Sequence, residues 1–284
     1  MTARILDGKA LAERIRDEIA GKITALPYRP GLAVVIVGHD PASAVYVRAK
    51  ERAAAAAGFA ARTLPLPEAT SEAALLGLIA ELNADPATDG ILVQLPLPAH
   101  IRAQWVIEAI DPAKDVDGFH PLNAGYLALG LPAIVPCTPR GVMRLLAEAG
   151  APLAGARAVV LGRSAIVGRP VAALLTAADA TVTLLHSRSR DIAAECRRAE
   201  ILIAAVGRAE MVRGDWVAEG AVVIDVGINR GADGKLRGDV AFAECAARAG
   251  AITRVPGGVG PMTIAYLLEN TLAAAQRRRA RAMG

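Results

Sequence analysis

Apolar residues in this chain follow two alternating patterns, short continuous runs and stripes at helical spacing. The run LAVVIVG at 32–38 is apolar throughout and ends in glycine, as expected of a strand buried on both faces of a parallel sheet. Before it, LDGKALAERIRDEIAGKI spaces its apolar positions helically behind Asp7, which suits an N-cap. After it, PASAVYVRAKERAAAAAG reads as a helix closed by Gly58, AARTLPL as a weaker strand, and TSEAALLGLIAELN as a helix with Ser or Thr at its start. DGILVQLPLP is a strand that runs into prolines. Repeated alternation of this kind predicts a mostly parallel α/β layer.

From about 111 to 139 the alternation stops, and Pro, Gly and Asp dominate around one short helical stretch, the composition of a linker carrying functional loops. It then resumes with strands ARAVVLG, ATVTLLHS, AEILIAAVG, GAVVIDVG and the short AITRV, and with helices beginning near Val167, Asp191 and Phe242. A last helix from about 262 is long enough to return to the first lobe. The expected division is an α/β lobe over 1–120 together with about 265–284, a linker over 121–138, and a Rossmann-like domain over 139–264.

Composition narrows the class. At 284 residues, with 54% hydrophobic and 21% charged, the chain is globular, and its length suits two domains or one large one. No apolar run approaches the roughly 20 residues of a membrane span, and the start MTARILDGKA has no apolar signal segment. Cys137, Cys196 and Cys245 are odd in number and far apart, which suits a reducing cytoplasm and argues against a disulfide framework. The histidines (39, 100, 120 and 186) are scattered, so no metal site is expected. The net charge of +4 equals the contribution of Arg277, Arg278, Arg279 and Arg281 at the C-terminus. A final helix with cations at the negative end of its dipole and in solvent accounts for them. With no basic stripe or interleaved aromatics, nucleic acid is not an expected partner.

The candidate chemistry begins with GRSAIVGRP, a glycine turn between a strand and a helix. Gly162 permits a tight turn, Gly168 permits close helix–strand packing, and the helix N-terminus offers N–H groups to a pyrophosphate. The pattern departs from G-x-G-x-x-G, and its placement within a βαβ unit is what gives it weight. The next strand ends LLHSRSR, where an NAD site usually carries an acid. Ser187 and Arg188 instead suit a 2′-phosphate held by charge-assisted bonds, so NADP is favoured over NAD. The alternative is a solvated basic loop. Gly207 and Ile228 follow the next two strands; Ile228 is placed to pack on a nicotinamide, and the alternative for both is simple core or turn chemistry.

The first lobe offers Lys50, with Tyr46 and Ser43 on the same helix face, Gln94 at the end of an apolar strand, and Asp117 in KDVDGF. Each alone has an ordinary account as a solvated lysine, a loop glutamine or a turn aspartate. Tyr-x-x-x-Lys also occurs in short-chain dehydrogenases. There it follows the nucleotide loop, whereas here it precedes it by over a hundred residues, so that reading fails.

Taken together the motifs resemble the bifunctional methylenetetrahydrofolate dehydrogenase/cyclohydrolase family over nearly the whole chain. They are S-x-x-Y-x-x-x-K at 43–50, VQLPLP at 93–98, KDVDGFHPLNAG at 114–125, PCTPRG at 136–141, GRSAIVGRP at 162–170, DVGINR at 225–230 and PGGVGPMT at 256–263. One departure is Ala241 in GDVAF, where the family commonly has an acid or amide. The resemblance implies that Lys50 assists proton transfer, Gln94 tunes it, Tyr46 packs along the folate and Asp117 grips the pterin edge. It implies cofactor contacts at Gly162, Arg163, Ser164 and Ile228, substrate contacts at Leu95, Gly260 and Pro261, tetrahydrofolate derivatives as substrate, and a cytoplasmic homodimer. The alternatives are an enzyme with the dehydrogenase step only, a silent folate-binding paralogue, or an unrelated NADP dehydrogenase acting on a small acid.

Overall fold

The computed structural model describes residues 3–38, 41–231 and 233–282, without the side chains of 41–46 and 281–282. Two compact units emerge. One comprises Glu13–Tyr126, Leu131–Cys137 and Ile264–Gly284, and the other Met1–Ala12, Leu127–Gly130 and Thr138–Thr263.

In chain order the elements begin with β1 (Arg4–Leu6), α1 (Gly8–Thr24), β2 (Gly31–Val37), α2 (Pro41–Ala56), β3 (Ala60–Leu66), α3 (Glu72–Ala84), β4 (Gly90–Val93), α4 (Ala103–Ala109), α5 (Pro121–Ala128) and α6 (Cys137–Ala149). They continue with β5 (Arg157–Leu161), α7 (Gly168–Ala177), β6 (Thr181–Leu185), α8 (Ile192–Cys196), β7 (Ile201–Ala204), a 3₁₀ turn at Gly214–Trp216, β8 (Val222–Asp225), β9 (Asn229–Arg230), β10 (Leu236–Arg237), α9 (Phe242–Ala246), β11 (Ala251–Thr253) and α10 (Val259–Ala282).

The first unit is built on a three-stranded parallel sheet in the order β3-β2-β4. β2 is its centre and buries nearly every residue, which explains its unbroken apolar sequence. Ala33, Val35, Ile91 and Val93 meet Leu75 and Ile79 of α3 in one apolar cluster. The sequence signals at the helix ends hold. Asp7 Oδ1 accepts from Ala10 N at 3.0 Å, Ser71 Oγ accepts from Ala74 N at 3.2 Å, and Gly58 takes φ of +89° after α2.

The second unit carries a six-stranded parallel sheet, β1-β11-β8-β7-β5-β6. Here the structure differs from the division drawn on the sequence, which placed the chain's start in the first lobe. Residues 4–6 pair with 251–253, and Lys9 N donates to Gly257 O at 3.0 Å. Three residues, RIL, are too short to show a period-2 pattern, so the strand escapes sequence reading. The antiparallel β9–β10 pair escapes it for the same reason.

The C-terminal arginines correct a second expectation. Arg278 Nη1 donates to Asp89 Oδ1 at 2.7 Å and to Thr88 O at 2.7 Å, and Arg279 Nη2 reaches Asp89 Oδ2 at 3.4 Å. Two of the cations are therefore tied to a buried carboxylate instead of lying free in solvent. All three cysteines are buried, and none forms a disulfide among the described residues. Among the described residues no helix is long and apolar enough to cross a membrane, and no cluster of His, Cys, Asp and Glu is arranged to hold a metal.

Candidate active site

Lys50 lies on α2 with only 5% of its surface exposed. Its Nζ donates to Gln94 Oε1 at 3.0 Å. Gln94 follows β4, where its N–H continues the ladder to Val35 O at 2.9 Å, and its Nε2 donates to Leu95 O at 2.6 Å. The amide is thereby oriented with its oxygen toward the lysine. Burial pushes the Lys50 ammonium below the ordinary lysine range, and the nearby Asp117 and Cys137 oppose that shift. Asp117 is partly exposed as a residue, yet desolvation of its carboxyl pushes it up to about 6, against the attraction of Lys50 and with the repulsion of Asp115. Lys50, Gln94 and Asp117, read separately from sequence, thus act on one another. Tyr46 lies on α2, but its side chain is outside the described residues.

The loop carrying Asp117 is held by residues that sequence reading passed over. Asp115, 2% exposed, accepts from Gly118 N at 3.1 Å, His120 N at 2.8 Å and Asn123 Nδ2 at 2.9 Å. Gly118 sits at φ of +72°, and a Cβ there would press on Pro136 N at 2.7 Å. Asn270 of α10 donates from Nδ2 to Val116 O and to Val135 O, both at 2.9 Å, and lies 3.5 Å from Cys137 Sγ. The only sequence signal for these residues is the density of polar groups in KDVDGFHPLN and an Asn inside an apolar helix stripe.

In the second unit the predicted cofactor residues cluster at the carboxyl ends of adjacent strands. Gly162 follows β5 at φ of +117°, and a Cβ on Gly168 would collide with Gly162 O, so the glycine pair closes the turn as read. Ser164 Oγ accepts from Val167 N at 3.2 Å and Gly168 N at 3.3 Å, so it caps the start of α7. Arg163, Ser187 and Arg188 are exposed, and Arg188 N donates to His186 Nδ1 at 3.1 Å. Gly207 follows β7 at φ of +65°, and Ile228 follows β8 with 59% of its surface exposed. Gly260 and Pro261, half-buried in the first turn of α10, stand beside this loop, with Ile228 Cδ1 3.8 Å from a Cβ built on Gly260. A helix N-terminus behind a glycine turn, with arginines at the end of the next strand, fits a phosphorylated dinucleotide.

A buried lysine held by a neutral amide in one α/β unit, and a dinucleotide turn in the other, define a nucleotide-dependent enzyme of two α/β units. Residues 6–117 match the catalytic domain of the tetrahydrofolate dehydrogenase/cyclohydrolases, and residues 136–279 match their NAD(P)-binding domain. The bifunctional protein FolD of Acidiphilium cryptum is 74% identical over 98% of this chain and 100% of its own. The crystal structure of the bifunctional FolD enzyme from Campylobacter jejuni has a TM-score of 0.95 at 47% identity, covering 97% of this chain and 99% of that one. The Trypanosoma brucei methylenetetrahydrofolate dehydrogenase-cyclohydrolase, complexed with NADP cofactor and inhibitor, has a TM-score of 0.94 at 42% identity, over 98% and 99%. The chain belongs to the tetrahydrofolate dehydrogenase/cyclohydrolase family.

Proposed function

We propose that the chain oxidises 5,10-methylenetetrahydrofolate with NADP and hydrolyses the 5,10-methenyl product to 10-formyltetrahydrofolate. NADP held at the turn between β5 and α7 would supply the hydride acceptor for the methylene carbon. The rest of the work falls to this chain's own groups. Gly162, Gly168 and the first turn of α7 admit the pyrophosphate, while Ser187 and Arg188 take the 2′-phosphate. Asp117 offers a carboxylate to the donor N–H edge of the pterin, and Tyr46, Leu95, Gly260 and Pro261 border the folate.

Hydrolysis needs one group that both takes and gives a proton: from the attacking water, and then to the ring nitrogen as the ring opens. A free lysine, with a pKa of about 10.4, stays charged at neutral pH. Burial lowers Lys50, and a cationic methenyl substrate lowers it further. Gln94 can accept a hydrogen bond from Nζ without the counter-charge that would lock the ammonium on. The Lys50–Gln94 contact at 3.0 Å, in a buried setting, is the observation that carries this reading. The same reading, through the family resemblance, carries with it a cytoplasmic homodimer supplying one-carbon units for purine, methionine and histidine synthesis.

The test follows NADPH formation and methenyl absorbance together in one cuvette. In Lys50→Ala the hydrolysis of added methenyltetrahydrofolate should fall by about 10²-fold or more, while folate still binds. Hydrolysis at the parent rate would sink the assignment of Lys50.

A further inference from the structure

Two buried carboxylates lie beneath the loops that follow β7 and β8, and the chemistry above leaves them unused. Asp239 has no exposed surface. Its Oδ2 accepts from Val206 N at 2.6 Å and Gly207 N at 2.9 Å, and its Oδ1 from Arg208 N at 2.8 Å and Asn229 Nδ2 at 2.9 Å. All four donors are neutral N–H groups, and among the described residues no ion pair reaches this carboxylate. Asp225, 4% exposed, holds Asp239 in turn. Its Oδ1 accepts from Asp239 N and Gly227 N, both at 2.9 Å, and its Oδ2 from Val240 N at 3.0 Å.

The glycines show that this proximity is built in. A Cβ on Gly227 would collide with the Asp239 carboxylate, and one on Gly238 with the Asp225 carboxylate. Burying two like charges side by side costs free energy, and burial pushes Asp225 up to about 6. The arrangement therefore has to achieve something that a packed apolar contact would not.

Its geometry shows what that is. Three successive N–H groups, of Val206, Gly207 and Arg208, converge on the two oxygens of one carboxylate, the form of an anion nest. In a dinucleotide fold the pyrophosphate sits over the first strand, here β5, and the adenosine half over the next, β6. The nicotinamide half then falls over β7 and β8. An open nest there would compete for phosphate. Asp239 fills it from inside and, through Asn229, ties the β7 loop to the loop that presents Ile228 outward. We infer that Asp239, itself held by Asp225, is a positioning residue that fixes the β7 and β8 loops as one rigid platform for the nicotinamide half of the cofactor.

The inference rests on the dehydrogenase reading, and the experiment separates the two. Binding of NADP and of 2′,5′-ADP, which lacks the nicotinamide half, is measured alongside dehydrogenase turnover in the parent, in Asp239→Asn and in Asn229→Ala. Asp239→Asn turns an NH₂ group toward N–H donors, and Asn229→Ala removes one tie at the partly buried edge. In Asp239→Asn the NADP KM should rise about tenfold or more and kcat should fall by a similar factor, since loss of near-attack placement is costly. Asn229→Ala should show a smaller change in the same direction. Both should hold 2′,5′-ADP within about twofold of the parent. If NADP and 2′,5′-ADP weaken equally in both variants, or turnover stays within twofold of the parent, the inference fails. A parent enzyme that reduces no NADP would instead sink the dehydrogenase reading itself.

Discussion

Asp117 shows at the scale of one side chain how a site draws on the stability of its fold. Folded, it keeps its proton up to about pH 6, whereas the unfolded chain releases it near 3.8. Between those values the folded state binds more protons, so stability falls as pH rises through the window, and the penalty is complete above about pH 6. Asp117→Asn removes the titration. The variant should therefore gain on the parent as pH climbs from 4 to 7, by on the order of 1–2 kcal/mol after allowance for the residue's partial exposure. Urea unfolding of both proteins at four pH values across this range checks it, and parallel stability curves would refute the cause given for the shift. If Asp117 holds the pterin edge as proposed, the same variant should bind folate less well, an exchange of binding for stability.

At the scale of elements, the sequence was most legible where burial is two-sided or periodicity is strong. β2, β5 and β7 read as strands because both faces are covered, and α3 as a helix because Ser71 caps it. Lys50 and Gln94 were each visible, but they are 44 residues apart, and only the pairing of β2 with β4 brings the strand end to the helix. Lys114 was not legible at all, since KDVD reads as a turn. It is 1% exposed, and its Nζ donates to Leu82 O at 2.9 Å, Asn83 O at 2.7 Å and Asp85 O at 2.9 Å. It thus satisfies the orphan carbonyls at the C-terminus of α3 and complements the negative end of the dipole. One buried ammonium fastens that helix end to the segment leading into Asp117. Lys114→Met keeps the apolar stem and leaves three carbonyls without their donor, so it should cost about 2–4 kcal/mol by chemical denaturation. A loss under 0.5 kcal/mol would show that water replaces the ammonium.

At the scale of the whole chain, α10 begins among residues of one unit and, from Ile264 onward, packs in the other. Its return depends on more than apolar burial. Asn270 bridges Val116 O and Val135 O near the site, and one turn from the described end the helix is fastened by charge. Asp89, 1% exposed, accepts from Gly31 N at 2.9 Å, from Arg278 and from Arg279, whose guanidinium also lies 3.8 Å from the Tyr28 ring. A buried carboxylate that loses its cations is costly, and so are half-buried cations that lose their carboxylate. Asp89→Ala should therefore destabilise by about 2–3 kcal/mol, and Arg278→Ala by a similar amount. The double variant should lose less than the sum, because once one partner is gone the other has no bridge left to break. A coupling of about 1 kcal/mol or more is expected from the double-mutant cycle. Additive losses would mean that the arginines lie along the surface without fastening the helix. Because Asn270 sits on the same helix and supports the Asp117 loop, the Asp89 variant should also hydrolyse methenyltetrahydrofolate more slowly, although Asp89 hydrogen-bonds to none of Lys50, Gln94 and Asp117.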